Sequence, residues 1–255
     1  MSLAEKLDQI PRGNTCPGVN CAIIEYLLES NDDLIGEAVL DVPCGNGEFL
    51  DVIKAFFPAC DTFGADIAPP ENTAGHSFLR TDLSGTGKLD LGRKFRLVTS
   101  ISGVMEFDNT LNFFEKIREQ IDENGMFIVT NDNLLSARDR ILYLLTGRLR
   151  QYPLFTDRDA PTWKILPLQN LLRILNDAGF DVSEIRYVPA KWTEWFWLPV
   201  AGPIYLTQLL SFLFGKKDVP FNEKAARYSF ASLFSRHYFI VCRPTPRQAA
   251  LPTLS

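Results

Sequence analysis

The chain has 255 residues, 46% of them hydrophobic and 22% charged, a globular balance that excludes a disordered or collagen-like polypeptide. Lys and Arg total 26 against 31 Asp and Glu, a net charge of −5, so the strongly basic balance of a general nucleic-acid binder is missing. The charge is uneven: residues 1–130 hold 10 basic and 21 acidic side chains, residues 131–255 hold 16 and 10, and the basic half favours an anionic partner.

The opening residues, MSLAEKLDQI, are charged and amphipathic and lack the apolar run of a signal peptide. Five cysteines, at 16, 21, 44, 60 and 242, form no C-x-x-C pair, and the two histidines, His76 and His237, fall in no metal-binding spacing. A reduced, cytoplasmic chain without a metal is expected. With no G-x-S-x-G elbow, a Ser-His-Asp hydrolase is disfavoured.

Apolar runs and helical spacings then alternate. A helix over 23–28 precedes a buried strand at 38–42, which Pro43 and glycines end. Helical spacing follows at 49–57, a second strand at 62–66 and a short third at 77–80. A fourth strand is expected at 95–101, a helix at 111–121 closed by Asn124-Gly125, and a fifth strand at 126–130. The stretch 134–149 reads as a basic amphipathic helix broken at Gly147 or, equally well, as a cap helix over the site. A helix at 168–178, a sixth strand at 181–188 and a seventh at 237–242 complete the series. Alternation of this kind implies βαβ units and a parallel sheet covered on both faces. Ligands of such sheets bind beyond the carboxyl ends of the strands, where strand order reverses.

The first such end reads Asp41-Val42-Pro43-Cys44-Gly45-Asn46-Gly47. Gly45 and Gly47 let a ligand approach the backbone, and the helix that follows offers free N–H groups. An ordinary tight turn would read the same way. A dinucleotide fingerprint would need a small residue at 50, where Leu50 stands. Asp66, 19 residues beyond Gly47 at the end of the second strand, can accept both hydroxyls of a ribose. Asp82 and Leu83 pair an acid with an apolar face after the third strand, suited to an adenine.

The runs VLDVPCGNGEFL, GADIAP, RTDLS, LVTSISGVMEFDN and NGMFIVTNDNLLS, in this order over roughly residues 34–190, resemble the class I S-adenosylmethionine-dependent methyltransferases, and most closely their small-molecule branch. The resemblance implies an α/β, Rossmann-like, doubly wound and mostly parallel seven-stranded sheet with an antiparallel last strand. It implies one domain over 1–245, with a core at 34–189 and 236–243, a helical region at 1–33, a hydrophobic insert at 190–235 and a flexible tail at 246–255. It places Asp41, Pro43, Gly45 and Gly47 around the methionine part of S-adenosylmethionine. Asp66 falls at the ribose, Ile67, Asp82 and Leu83 at the adenine, and Ser100 and Ile101 near the sulfur. Pro43 stands where many members have glycine. Phe107 stands where many have histidine, so that position supplies no base. The candidate bases are Glu106, Asp108 and Asp132, which read equally as loop acids; His76 and His237 read as structural.

The run Trp195–Gly215 has 21 uncharged residues, is flanked by Lys191 and by Lys216-Lys217, and has three of the four tryptophans at or just before its start. Length alone would allow a membrane span. Pro199, Gly202 and Pro203 interrupt it, and the strand that follows must return to the sheet. Two readings stay open: packing over the substrate pocket or at a dimer seam, or peripheral membrane contact through 195–217. The expected activity is methyl transfer, to oxygen, on a small-molecule or lipid-linked acceptor. The alternative is a non-catalytic member serving as a membrane-associated partner.

Overall fold

The computed structural model describes residues 2–30, 34, 36–70, 75–85, 89–150, 164–189, 192–215 and 219–246. Two helices, α1 (Leu3–Asp8) and α2 (Val19–Glu29), precede β1 (Ala38–Asp41), α3 (Glu48–Phe56), β2 (Asp61–Asp66), β3 (Ser77–Arg80) and β4 (Phe95–Ser100). Then come α4 (Thr110–Gln120), β5 (Ile121–Asp132), α5 (Ala137–Thr146), α6 (Leu168–Asp177) and β6 (Phe180–Tyr187). After β6 follow a 3-10 helix at Trp192–Trp197, α7 (Leu198–Phe214), α8 (Phe221–Arg227), a short 3-10 helix at Phe230–Leu233 and β7 (His237–Pro244).

The seven strands form one sheet in the order β3-β2-β1-β4-β5-β7-β6. The pairs from β3 through β5 are parallel, and β7 runs antiparallel to both β5 and β6. Strand order reverses between β1 and β4, so a crevice opens there at the carboxyl ends.

Strand alternation assigns the two faces. Leu40, Val98, Phe127, Val129 and Ile240 pack with Phe113, Phe114 and Ile117 of α4 and with Leu168, Leu171 and Leu175 of α6. Their neighbours Val39, Leu97, Met126, Ile128 and Phe239 turn to the other face, against α2 and against Phe49, Val52 and Ile53 of α3. Each such fully buried side chain contributes ~1.5–3 kcal/mol relative to exposure.

The main departure from the sequence expectation is at β5. Asn124-Gly125 does not close α4; the helix ends at Gln120 and the strand begins at once, with Ile121 opposite Phe95 and a register shift before Leu97. A Cβ on Gly125 would lie 2.9 Å from Ile121 Cγ1 and 3.0 Å from the Phe95 carbonyl, so glycine here marks an irregularity inside a strand. The basic helix is shorter than its apolar pattern, and Gly147, at φ +65, caps it.

None of the described residues of 192–235 lines the crevice. They build a cap in which Ala201 meets Ala137, Leu233 and Phe234, with Trp197 and Tyr205 against them. Glu194, buried, ties this cap down through ion pairs with Arg236 and Arg138. Lys191, Lys216, Lys217 and the tail from 247 onward lie outside the described residues.

Candidate active site

A cavity of about 570 Å³ lies at the carboxyl ends of β1, β2 and β4. Its floor is the bend after β1. The Val42–Pro43 bond is cis, and the bend closes with Gly47 N–H donating to the Cys44 carbonyl at 2.9 Å. Gly47 adopts φ +77 and forms the N-cap of α3, so its glycine character serves the turn. It does not itself line the cavity, whereas Asp41, Pro43 and Gly45 do.

Asp66 reaches this bend directly. Gly45 N–H donates to Asp66 Oδ2 at 2.9 Å, and Ala68 N–H donates to Oδ1 at 3.1 Å. Two backbone donors hold the carboxylate at the cavity edge, and each oxygen keeps a further lone pair for a ligand. Ile67, 63% exposed, lies on the same wall. Asp82 and Leu83 complete that side, with Asp82 Oδ1 accepting the Ser84 N–H at 2.9 Å.

Asp41 is almost wholly buried, and its carboxylate accepts the Thr99 hydroxyl at 2.6 Å. Burial pushes its pKa from 3.8 up to about 7; Thr99 opposes the shift and the charge of Asp66 adds to it. A ligand cation set against Asp41 would restore the ionised form.

The opposite wall corrects the expectation at 100–101. Ile101 lines the cavity, but Ser100 is fully buried behind the wall, its hydroxyl without a protein partner. The lining hydroxyl is that of Ser102, whose φ of +57 is unusual for a residue with a Cβ. Its amide donates to Thr130 Oγ1 at 2.7 Å and its Oγ lies 2.7 Å from Thr15 Oγ1. Gly103 follows, so close to the bend that a Cβ would lie 2.2 Å from Pro43 Cδ.

The three candidate bases separate. Glu106 lines the mouth of the cavity, and desolvation together with the charge of Asp66 raises its carboxyl above the ordinary value. Asp108 is exposed and does not line it; its backbone carbonyl accepts Lys164 Nζ at 2.9 Å. Asp132 is turned to His237, with 3.1 Å between Oδ1 and Nδ1. Phe107 is buried and stacks on Phe113 with centroids 4.1 Å apart, and it lines the cavity as well, an apolar ring that links core and site. His76 sits between Thr62 at 2.6 Å and Asp51 at 2.9 Å, a structural role.

Two contributions escaped the sequence reading. The segment between α1 and α2, with the first turn of α2, forms a wall of the cavity through Gly13, Asn14, Thr15 and Asn20. Asn20 anchors that segment by donating to the Pro11 carbonyl at 3.0 Å, while its buried Oδ1 has no protein partner. No glycine motif or charge pattern marks this stretch, and only its distance in space from β4 could have revealed it. Folding also brings one donor atom each of Cys16, Asp132 and His237 within 4.8 Å of one another, from positions too far apart in sequence to form a motif.

The fold recurs in solved structures of low identity. An S-adenosylmethionine-dependent methyltransferase from Clostridium acetobutylicum ATCC 824 is 14% identical, with 95% of this chain and 98% of that one covered and a TM-score of 0.53. A putative methyltransferase from Bacillus halodurans C-125 is 16% identical over 88% and 100% of the two chains, with a TM-score of 0.54. The mycolic acid cyclopropane synthase CmaA1, solved with SAH and CTAB, is 13% identical over 87% and 82%, with a TM-score of 0.55. None of the curated proteins matches the sequence. The family model described as a methyltransferase domain matches residues 15–185, about two thirds of the chain, from Thr15 at the cavity wall through β6. The chain belongs to this family of methyltransferase domains.

Proposed function

We propose that the protein is an S-adenosylmethionine-dependent methyltransferase that methylates an oxygen of a small-molecule or lipid-linked acceptor and works in the cytoplasm or at its membrane surface. One observation carries the reading: the Asp66 carboxylate is fixed by the Gly45 amide, 2.9 Å away, at the edge of an open cavity where strand order reverses. Family membership and a structural neighbour solved with SAH support it.

The lining suits such a cofactor. The unpartnered Asn20 Oδ1 can take a ligand N–H or O–H, and the destabilised Asp41 carboxylate favours a cation, as an amino acid ammonium would provide. When bound, the cofactor supplies a methyl group on a positively charged sulfur that is already a good leaving group. The protein's part is then position and proton handling. Asp41, Pro43 and Gly45 hold the methionine end, Asp66 the ribose hydroxyls, and Ile67, Asp82 and Leu83 the adenine. Ile101, Ser102 and Gly103 close the wall and exclude water from the reacting end. Glu106 at the mouth accepts the proton of an acceptor hydroxyl, and its raised pKa brings it nearer the working pH of a base.

Calorimetric titration with S-adenosylmethionine and with its demethylated product tests this. Wild type should bind both, and Asp66→Ala should weaken binding by about 10- to 100-fold, the worth of one or two hydrogen bonds to a charged group. No heat with wild type, or equal affinity for both proteins, refutes the reading.

A second reading has its own observation. Of the three candidate bases only Glu106 lines the cavity, and beside it Phe107, stacked on Phe113, offers an apolar ring and no base. A member that keeps the fold and the cofactor but serves as a membrane-associated partner would look the same. Methyl transfer from labelled cofactor to any acceptor excludes it.

A further inference from the structure

The stretch Trp192–Phe214 is long and apolar enough to cross a membrane, yet only 6% of its apolar window is buried against protein. In α7 only Ala201 is buried, while Leu206, Leu210, Leu213 and Phe214 are exposed, the last by 86%. The 3-10 helix before it exposes Trp192 and Phe196 to a similar degree. A second element joins this face. Arg140 of α5 donates to Gln208 of α7 at 2.9 Å, and the last turns of α5 expose Tyr143, Leu144 and Leu145, the two leucines by 77% and 76%. A continuous apolar surface of this kind is costly in water and marks an interaction site.

We infer that α7 and the end of α5 form a docking face that beds the protein in the headgroup–acyl boundary of an anionic bilayer without crossing it. Three observations select lipid as the occupant. Two hydroxyls of α7 are satisfied within the helix: that of Thr207 donates to the Pro203 carbonyl at 2.9 Å and that of Ser211 to the Gln208 carbonyl at 2.7 Å, an arrangement suited to a medium without water. The rim is basic. Of the arginines at 138, 140, 148 and 150, Arg138 and Arg150 pair with Glu194 and Asp139 while Arg148 is exposed, and residues 131–255 carry a charge of +6, which fits phosphate headgroups and opposes the apposition of two such faces. Trp192 and Trp195, both exposed, stand at one end of the stretch, where indole rings settle at headgroup depth. A full crossing is excluded by topology. The strands on either side, β6 and β7, lie side by side with Tyr187 opposite Tyr238, so the chain must leave and return on one side. This inference goes beyond the methyltransferase reading and does not depend on it.

Co-sedimentation of the full chain with vesicles tests it, using phosphatidylglycerol–phosphatidylcholine mixtures and pure phosphatidylcholine at low and high salt. Sedimentation velocity without lipid runs in parallel. The expected result is binding to the anionic vesicles that weakens with salt, with tryptophan fluorescence quenched by lipids brominated near the headgroup. The double variant Phe196→Ser/Phe214→Ser should lower partitioning by about tenfold or more. Arg148→Glu, at an exposed residue, should lower it on anionic vesicles alone, and circular dichroism checks that both variants fold. A monomer that binds neither vesicle overturns the inference. Concentration-dependent dimers without vesicle binding overturn it as well, and assign the face to a second copy of the chain.

Discussion

Replacing Asp41 by Asn isolates one buried carboxylate. Its pKa rises from 3.8 in the unfolded chain to about 7 in the fold, chiefly through burial. The folded state therefore holds the proton more tightly than the unfolded state does. Stability contributed by this group is full below about pH 4, falls as pH rises toward 7, and is level beyond. Each pH unit is worth ~1.36 kcal/mol, so the ionised carboxylate costs the unliganded fold about 4 kcal/mol above pH 7. Asparagine cannot titrate, yet its carbonyl oxygen can still accept the Thr99 hydroxyl that bonds Asp41 at 2.6 Å. Urea unfolding of wild type and Asp41→Asn, followed by circular dichroism from pH 4 to 8, should show the variant gaining on wild type by about 1.4 kcal/mol per pH unit up to neutrality. The gain should then level off. Groups remote from Asp41 cancel in the difference, whereas its electrostatic neighbours Asp66 and Cys44 add a smaller change of their own. Cofactor affinity should move the opposite way: wild type should bind S-adenosylmethionine more tightly as pH rises toward 7, by up to about tenfold per unit, while the variant binds weakly and without that slope. A stability difference independent of pH would refute the reasoning, because Asp41 would then titrate alike in both states.

Two further outcomes follow from the same geometry. Glu106→Gln should leave cofactor affinity near wild type and lower kcat by about 10²- to 10⁴-fold with a hydroxyl acceptor, the usual worth of a general base; an unchanged kcat removes Glu106 from proton transfer. Cys16, whose thiol is brought below its ordinary pKa mainly by a hydrogen bond to His237, should be alkylated by iodoacetamide at lower pH than Cys21, which burial pushes up to about 11. His237→Gln should move the Cys16 midpoint upward, as peptide mapping by mass spectrometry would report; coincident pH–rate curves for the two thiols would count against the Cys16–His237 contact.

Most of the sheet was legible because buried strands and amphipathic helices announce themselves by period. The run at 77–80 and the apolar helix spacing at 168–178 matched the observed elements to within a residue. What failed was punctuation. Asn124-Gly125 carries a strong turn signal, but pairing of Ile121 with Phe95 overrides it and extends β5 by five residues toward α4. In the site, Asp41, Gly45 and Asp66 were readable because strand ends and glycines locate a bend. Ser100 was misplaced because a shift of one position at a strand end exchanges the sheet's interior for its rim, and Ser102 takes the rim by adopting φ +57. Asp132 could not be assigned from its loop position alone, since its partner His237 comes from β7, 105 residues further along. The wall built by Gly13, Asn14, Thr15 and Asn20 reaches the site through tertiary contact, Thr15 with Ser102, which no local pattern announces.

Three departures from local preference meet in one place. Asp41 holds a carboxylate whose charge burial opposes, Asn20 keeps a buried oxygen without a partner, and Ser102 sits in a conformation that favours glycine. Each costs the fold on the order of 1–3 kcal/mol or more. A chain selected for stability alone would relieve them with an apolar residue at 41, a leucine at 20 and a glycine at 102. All three line the same cavity beside the bend that Asp66 clasps. A ligand carrying a cation, a hydrogen-bond donor and a hydroxyl-bearing ring would offset the first two costs on binding and use the wall shaped by the third. Three such costs meeting at one crevice where strand order reverses mark a site kept for binding.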